Sequence, residues 1–290
     1  MSSILFDLSG KIKDPAHTDA LYAIKKAADS LNIPFFVVGA SARDYIFEYC
    51  YNIKTPRMTT DIDLGVEVAG WGQFGKLTDS LLATGRFSAT KEKHRFRFGT
   101  VLVDILPFGA IADAHKRVVW PPDQEFIMSM LGFQEAYEYS IIVRLSKDPE
   151  LDIKLPTLPG LALMKIISWN KKYPERQKDA EDLLFIMHKY EDAGNGERLY
   201  GKEQDLLQEE SFDTLLAGIR LLGRDMAKIA NLDTVNEVKS ILDRETGEQS
   251  RYRLVADMLK GNLVSGEKFD RILHQVEKLK EGFLEVAQKK

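Results

Sequence analysis

Along the first half of the chain the apolar positions change period several times. From His17 to Leu31, Leu21, Ile24, Ala27 and Leu31 recur at helical spacing, which predicts a helix with one buried face. Pro34 opens a short apolar run, Phe35-Phe36-Val37-Val38, that reads as a buried strand. Gly39-Ala40-Ser41 breaks it, and a second helix is predicted from Ala42 to Tyr51. Asp61 to Val68 (DIDLGVEV) reads as the next strand. Trp71 to Ala83 reads as a helix ended by Gly85. Lys93–Phe98 and Val101–Phe108 are strand-like and meet at the turn Gly99-Thr100. This mixture predicts a sheet with helices packed on it.

The second half is mainly helical in pattern. Leu158–Asn170 and Gln177–Tyr190 are the first two helices expected. Phe212, Leu215, Leu216, Ile219, Leu222, Met226 and Ile229 form an amphipathic stripe, and Phe269, Ile272, Leu273, Val276, Leu279 and Phe283 form another. Both stripes read as helix-bundle core. Segments 192–202 and 244–250 read as loops.

Composition narrows the classes. The 290 residues are 44% hydrophobic and 29% charged, too apolar for a disordered chain. No apolar run reaches the length of about 18 residues that suggests a membrane span. The opening MSSILFDLSGKIKD lacks a signal-peptide pattern, and the single cysteine, Cys50, forms no internal disulfide, so a cytoplasmic protein is expected. The net charge of −4 argues mildly against a chain whose main work is coating nucleic acid.

Carboxylates inside strands carry the chemistry. Asp61 and Asp63 lie two apart, so on a strand both point to one face while Ile62 and Leu64 point to the other. Two such carboxylates repel each other unless a cation lies between them. Asp104 is the lone charge in VLVDILPF, and an uncompensated buried carboxylate costs several kcal/mol. If the two strands are neighbours, three carboxylates converge as oxygen ligands of the kind that suits Mg²⁺ or Mn²⁺ rather than zinc. The plainer alternative is a turn at a strand start, with Asp104 paired to an arginine. Upstream, strand, Gly39-Ala40-Ser41 and helix place backbone N–H groups at a helix N-terminus, where anions are favoured. Gly39 permits close approach, Ser41 can cap the helix or meet a phosphate oxygen, and Arg43 meets either a nucleotide or Asp44 and its neighbours.

Taken in order, GASARDYIF, TTDIDLGVEV, HRFRFGTVLVDILPFG, VVWPP, LPGLALMKIISW and KDAEDLLFIM resemble the AbiEii/AbiGii family of toxin nucleotidyltransferases, within the DNA polymerase β-like superfamily. The resemblance spans about residues 30–190, and Ala40 departs from the commoner Gly-Gly or Gly-Ser. It implies an α+β fold: a polymerase β-like nucleotidyltransferase domain with a mixed sheet flanked by helices, about 1–150, then a helical-bundle domain, about 151–290, that closes the cleft. It implies transfer of a nucleoside monophosphate from an NTP to an acceptor hydroxyl, with two Mg²⁺ ions (Mn²⁺ as a substitute), and often an RNA acceptor, notably tRNA. The biological role implied is the toxin of a toxin–antitoxin system, partnered by an antitoxin protein. Asp61, Asp63 and Asp104 then hold metal and act in catalysis. Gly39, Ser41, Arg43 and Lys165 bind the nucleotide, with Lys165 and Asp182 as further catalytic residues.

Outside that resemblance several residues have plainer readings. Lys165, alone in LALMKII, either snorkels to water or meets phosphate. Asp179 and Asp182 are either a solvated acidic first turn, with Lys178 paired to Asp182, or cleft residues that orient the acceptor, the base or Lys165. Lys91, Lys93, Arg95 and Arg97 share one strand face, either as a phosphate-holding group or as a charged sheet edge. Lys165, Lys171, Lys172, Arg176 and Lys178 form a second basic group. His94 reads as packed, Trp120 as a core anchor at a turn, and Cys50 as a small buried hydrophobe. Rival functions are the same chemistry on a small-molecule or protein hydroxyl, and a non-catalytic binding module.

Overall fold

A computed structural model of the chain describes residues 6–12, 15–122, 126–260 and 266–290. The opening residues from which the lack of a signal peptide is read lie partly outside them. The chain forms two compact units, Met1–Thr157 and Leu158–Lys290.

In the first unit, strand β1 (Phe6–Asp7) precedes helix α1 (Pro15–Ser30), which buries Leu21, Ile24, Ala27 and Ala28. Strand β2 (Phe35–Val38) is buried throughout and runs directly into helix α2 (Gly39–Asp44), which widens into a π-type turn over Tyr45–Cys50. The helix therefore starts three residues earlier than its apolar pattern predicts. Gly39 turns the chain with a φ of +67°, a left-handed value that costs glycine little, and α2 begins there. Strand β3 (Ile62–Glu67), helix α3 (Trp71–Ala83) and strands β4 (Phe87–Ala89), β5 (Arg95–Phe98) and β6 (Val101–Phe108) follow. They form a five-stranded mixed sheet in the order β2-β3-β6-β5-β4, in which only the β3–β6 pair is parallel.

Period two sorts β3 cleanly. Ile62, Leu64 and Val66 are fully buried on one face. On the other face Gly65 leaves room for the ring of Phe36, which an added Cβ would meet at 2.4 Å. Phe36 packs edge-on against Phe108, Phe133 and Tyr137 at 5.5, 6.2 and 5.6 Å. Half of that face is thus an aromatic core. A hairpin of β7 (Arg117–Val119) and β8 (Ile127–Ser129) leads to helix α4 (Phe133–Glu138), which supplies Phe133 and Tyr137. Strands β9 (Ile141–Lys147) and β10 (Glu150–Leu155) pair with each other, and β9 pairs with β1, in a second sheet that the sequence pattern does not announce.

The second unit is helical: α5 (Leu158–Lys171), α6 (Gln177–Lys189), α7 (Gly196–Leu199), α8 (Gln204–Glu209), α9 (Thr214–Ile229), α10 (Leu232–Thr246), α11 (Arg253–Met258) and α12 (Gly266–Ala287). The segments expected as loops are in part helical: 192–202 holds α7, and α10 extends to Thr246. Asp213 caps α9 by accepting from the Leu216 amide at 2.9 Å, so the helix starts at Thr214 and Phe212 falls outside the predicted stripe, 70% exposed. The long helices α9 and α12 meet backbone to backbone. A Cβ on Gly282 would lie 1.9 Å from the Arg220 carbonyl oxygen, and one on Gly223 2.2 Å from that of Leu279. Among the described residues no helix is long and apolar enough to cross a membrane.

Candidate active site

Register brings the sheet acids together. Val38 on β2 pairs with Asp63 on β3, Asp63 with Asp104 on β6, and Asp104 with Arg95 on β5. Residues paired across neighbouring strands share a face, so Asp63, Asp104 and Arg95 form one row. Asp61 lies two residues before Asp63 and just ahead of β3. Its charge reaches Arg95 as well. Asp61 and Asp63 are partly exposed, whereas Asp104 is buried.

The sequence pattern marks Arg95 only as one member of a basic face. It grips Asp104 with both prongs, Nε to Oδ1 at 2.7 Å and Nη2 to Oδ2 at 2.7 Å. These hydrogen bonds hold the guanidinium above its ordinary pKa, against burial. The signal for this pair lies in the turn: counting outward from Gly99-Thr100 sets Phe98 against Val101 and Arg95 against Asp104. Asp104, the third carboxylate of the metal site expected from the sequence, is thus shared with Arg95. Among the described residues no group of three His, Cys, Asp or Glu side chains is placed to hold a metal ion. Two carboxylates do fit a hard cation. Asp61 and Asp63, two positions apart in the chain, are both oxygen donors and both partly exposed.

The turn before α2 touches the same acids. Asp63 lies directly over Gly39, and a Cβ there would fall 2.1 Å from Asp63 Oδ2. Two residues expected to meet phosphate, Ser41 and Arg43, have partners within the protein. Ser41 is buried; its hydroxyl donates to the Val38 carbonyl at 3.2 Å and accepts from the Asp63 amide at 3.4 Å, so it joins α2 to the sheet. Arg43 is fully buried, and its Nε and Nη2 both donate to Asp44 Oδ1, at 2.9 and 2.6 Å. Asp44, in the neighbouring position, is the anion that Arg43 meets in this structure.

In the helical unit Lys165 is held by two carboxylates of α6. Its Nζ donates to Asp179 Oδ1 at 2.8 Å and to Asp182 Oδ2 at 2.7 Å, and all three side chains are buried. The pair at i, i+3 presents both carboxylates from one face of α6, so the acidic first turn is not solvated and Lys165 does not snorkel. Burial works to push the Lys165 ammonium down, but the two aspartates overcome it and hold the pKa above its ordinary value. Burial likewise pushes the Asp179 carboxyl up, and Lys165 and Arg176 hold it below its ordinary value. Asp182 thus orients Lys165, one of the roles expected for it.

The basic groups are partly spent. Lys91 and Lys93 precede β5 instead of lying on it, Lys93 donates to the Pro121 carbonyl, and Arg97 stays exposed. Lys171 pairs with Glu237 and Arg176 with Asp179. Trp120 is a core anchor, 5.0 Å from the Trp71 ring, and His94 stacks on Phe126 at 5.3 Å. Burial pushes the Cys50 thiol up to about 12, which keeps it unreactive.

No protein-family model and no curated protein sequence matches the chain. Its structural neighbours are nucleotidyltransferases. A nucleotidyltransferase-like antigenic protein from Paracoccidioides brasiliensis is 14% identical, over 68% of this chain and 92% of its own, with a TM-score of 0.38. ANT(2")-Ia, solved with adenylyl-2"-tobramycin, is 16% identical over 68% of this chain and 97% of its own, at a TM-score of 0.35. A CCA-adding enzyme solved with ATP is 16% identical over 90% of this chain and 67% of its own, at a TM-score of 0.34.

Proposed function

We propose that the first unit transfers a nucleoside monophosphate from an NTP to an acceptor hydroxyl, with Mg²⁺ as the working ion and Mn²⁺ as a substitute. The observation that carries this is the register of Asp63 with Asp104, with Asp61 two residues upstream and Gly39 beneath Asp63. Asp61 and Asp63 would hold the metal. Bound there, it supplies charge for the phosphate oxygens and eases deprotonation of the attacking hydroxyl. Gly39, lacking a Cβ, lets the first turn of α2 approach a phosphate, and helix N-termini favour that charge. The acceptor oxygen attacks the α-phosphorus in line, its proton passes to Asp104 Oδ once Arg95 yields it, and pyrophosphate leaves. Positioning and electrostatics supply most of the rate.

The finer reading is a cytoplasmic toxin that modifies RNA, notably tRNA, and is held in check by an antitoxin protein. Its support is the ordered run of motifs from GASARDYIF to KDAEDLLFIM. Labelled NTPs with Mg²⁺ are offered tRNA, total protein and an aminoglycoside in parallel. Label in tRNA, lost in Asp63→Asn, is the expected result. Label in another acceptor moves the activity there. If wild type labels nothing while Asp63→Asn binds NTP and Mg²⁺ equally well, catalysis by these acids is refuted. Growth on expression tests the toxin reading: wild type should slow it and Asp61→Ala should not.

A further inference from the structure

Asp63 and Asp61 are held in place by different means. Asp63 is fixed by the sheet, paired with Val38 on one side and Asp104 on the other. Asp61 is outside both registers, because β3 begins at Ile62. Its aim depends on the segment that delivers it, residues 57–60.

That segment is held from beneath by a buried ion pair. Arg43 is 0% exposed and Asp44 4%. A buried guanidinium is costly unless its donors are satisfied, and here they serve both Asp44 and the segment before Asp61. Besides gripping Asp44, Arg43 Nη2 donates to the Arg57 carbonyl at 2.5 Å. The second oxygen of Asp44, Oδ2, accepts from the Thr59 amide at 2.8 Å. From α1, His17 Nε2 lies 2.8 Å from the Thr60 carbonyl; that oxygen only accepts, so the ring is assigned the tautomer protonated at Nε2. The Asp61 amide in turn donates to Thr59 Oγ1 at 3.2 Å. Three successive anchors, at Arg57, Thr59 and Thr60, thus end one residue short of Asp61.

We propose that Arg43 and Asp44, with His17, are positioning residues that aim the Asp61 carboxylate at the cation it shares with Asp63. The proposal rests on the reading of Asp61 and Asp63 as metal ligands. It gives a role to the charged pair in GASARD that a phosphate cradle leaves unexplained. Partners that orient a ligating carboxylate typically contribute about 10- to 100-fold in metal affinity.

The test uses the full chain and Mn²⁺ as the probe, with affinity read by electron paramagnetic resonance and backbone release by hydrogen exchange over residues 57–62. Asp44→Asn is expected to weaken Mn²⁺ about tenfold or more and to speed exchange in that segment. In an Asp61→Ala background the same change should have no further effect on affinity. Asp152→Asn is the control. It breaks a two-pronged pair with Arg144 at 2.7 and 2.8 Å on the other sheet and should leave both readouts at wild-type values. Should Asp44→Asn not fold, His17→Phe, which removes only the tie to Thr60, is read in the same way. Faster exchange with unchanged Mn²⁺ affinity overturns the proposal, as does an equal loss of affinity with and without Asp61. If wild type shows no Mn²⁺ site that Asp63→Asn removes, the reading of the two acids falls and the proposal with it, and wild type alone reveals that failure.

Discussion

Arg95 and Asp104 face each other across the β5–β6 hairpin, and their two-pronged pair controls what the third carboxylate is free to do. The charge of a carboxylate so gripped is already answered. Arg95→Met removes the competing cation and keeps much of the apolar stem. It is expected to tighten Mn²⁺ binding about tenfold, about 1.4 kcal/mol, if Asp104 is a latent ligand. Titration of the variant against wild type checks this, and equal affinities would exclude Asp104 as a metal ligand and leave it the role of proton acceptor. The acids themselves were legible in the sequence because a charge in an apolar, period-two run has few cheap explanations. Arg95 was not singled out, since in HRFRF it alternates like its basic neighbours, and only the turn count distinguishes it. Asp44 and Thr59 were less legible still. They lie fifteen positions apart across an irregular loop, where no periodicity indicates which side chain meets which amide.

At the scale of elements, the α5–α6 contact is organised by one lysine between two aspartates. Removing one member of a buried ionic group typically costs about 3–5 kcal/mol, because the remaining charges lose their partner. Lys165→Met should therefore lower the urea midpoint of the helical unit markedly, while a double change that also neutralises Asp179 and Asp182 recovers part of the loss. The pH dependence follows from the lowered pKa of Asp179. A carboxyl depressed in the folded state stabilises above its unfolded pKa, about 3.9, and that stability is lost as pH falls through the folded value. Helical circular dichroism should accordingly hold on acidification to about pH 4 and fall below it, with Lys165→Met failing at a higher pH. Helix positions in this region were well legible, since α5 and α6 lie where periodicity sets them. The burial of their charges was not, because a hydropathy pattern records an aspartate as polar whether or not a lysine awaits it. The strands of the second sheet were missed for a related reason: IIVRLSK and ELDIKL are short, and charged residues interrupt their alternation.

For the whole molecule the net charge of −4 is a weak guide to partners. Many acids are spent inside the fold: Glu285 serves Arg220 and Arg224, Asp225 serves Arg198 and Lys228, and Asp104 serves Arg95. Exposed cations such as Arg97 remain to meet an anionic acceptor. If that acceptor is tRNA, Arg97→Glu should weaken tRNA binding and flatten its salt dependence by about one phosphate contact, with NTP binding unchanged. Filter binding across a salt series measures the slope. An unchanged slope would remove β5 from the acceptor path.

The contact between Gly39 and Asp63 has a consequence for how such chains diverge. The glycine is favoured twice over: the Asp63 carboxylate lies in the space a side chain would need, and the left-handed backbone, at a φ of +67°, strains most other residues. A change at position 39 therefore meets both the acid and the backbone. A lineage that loses Asp63 removes the steric bar and keeps the backbone one, which small turn residues such as asparagine meet at least cost. A descendant with a bulky residue there is expected to have lost the acid too, so this one small position would mark which descendants have retired.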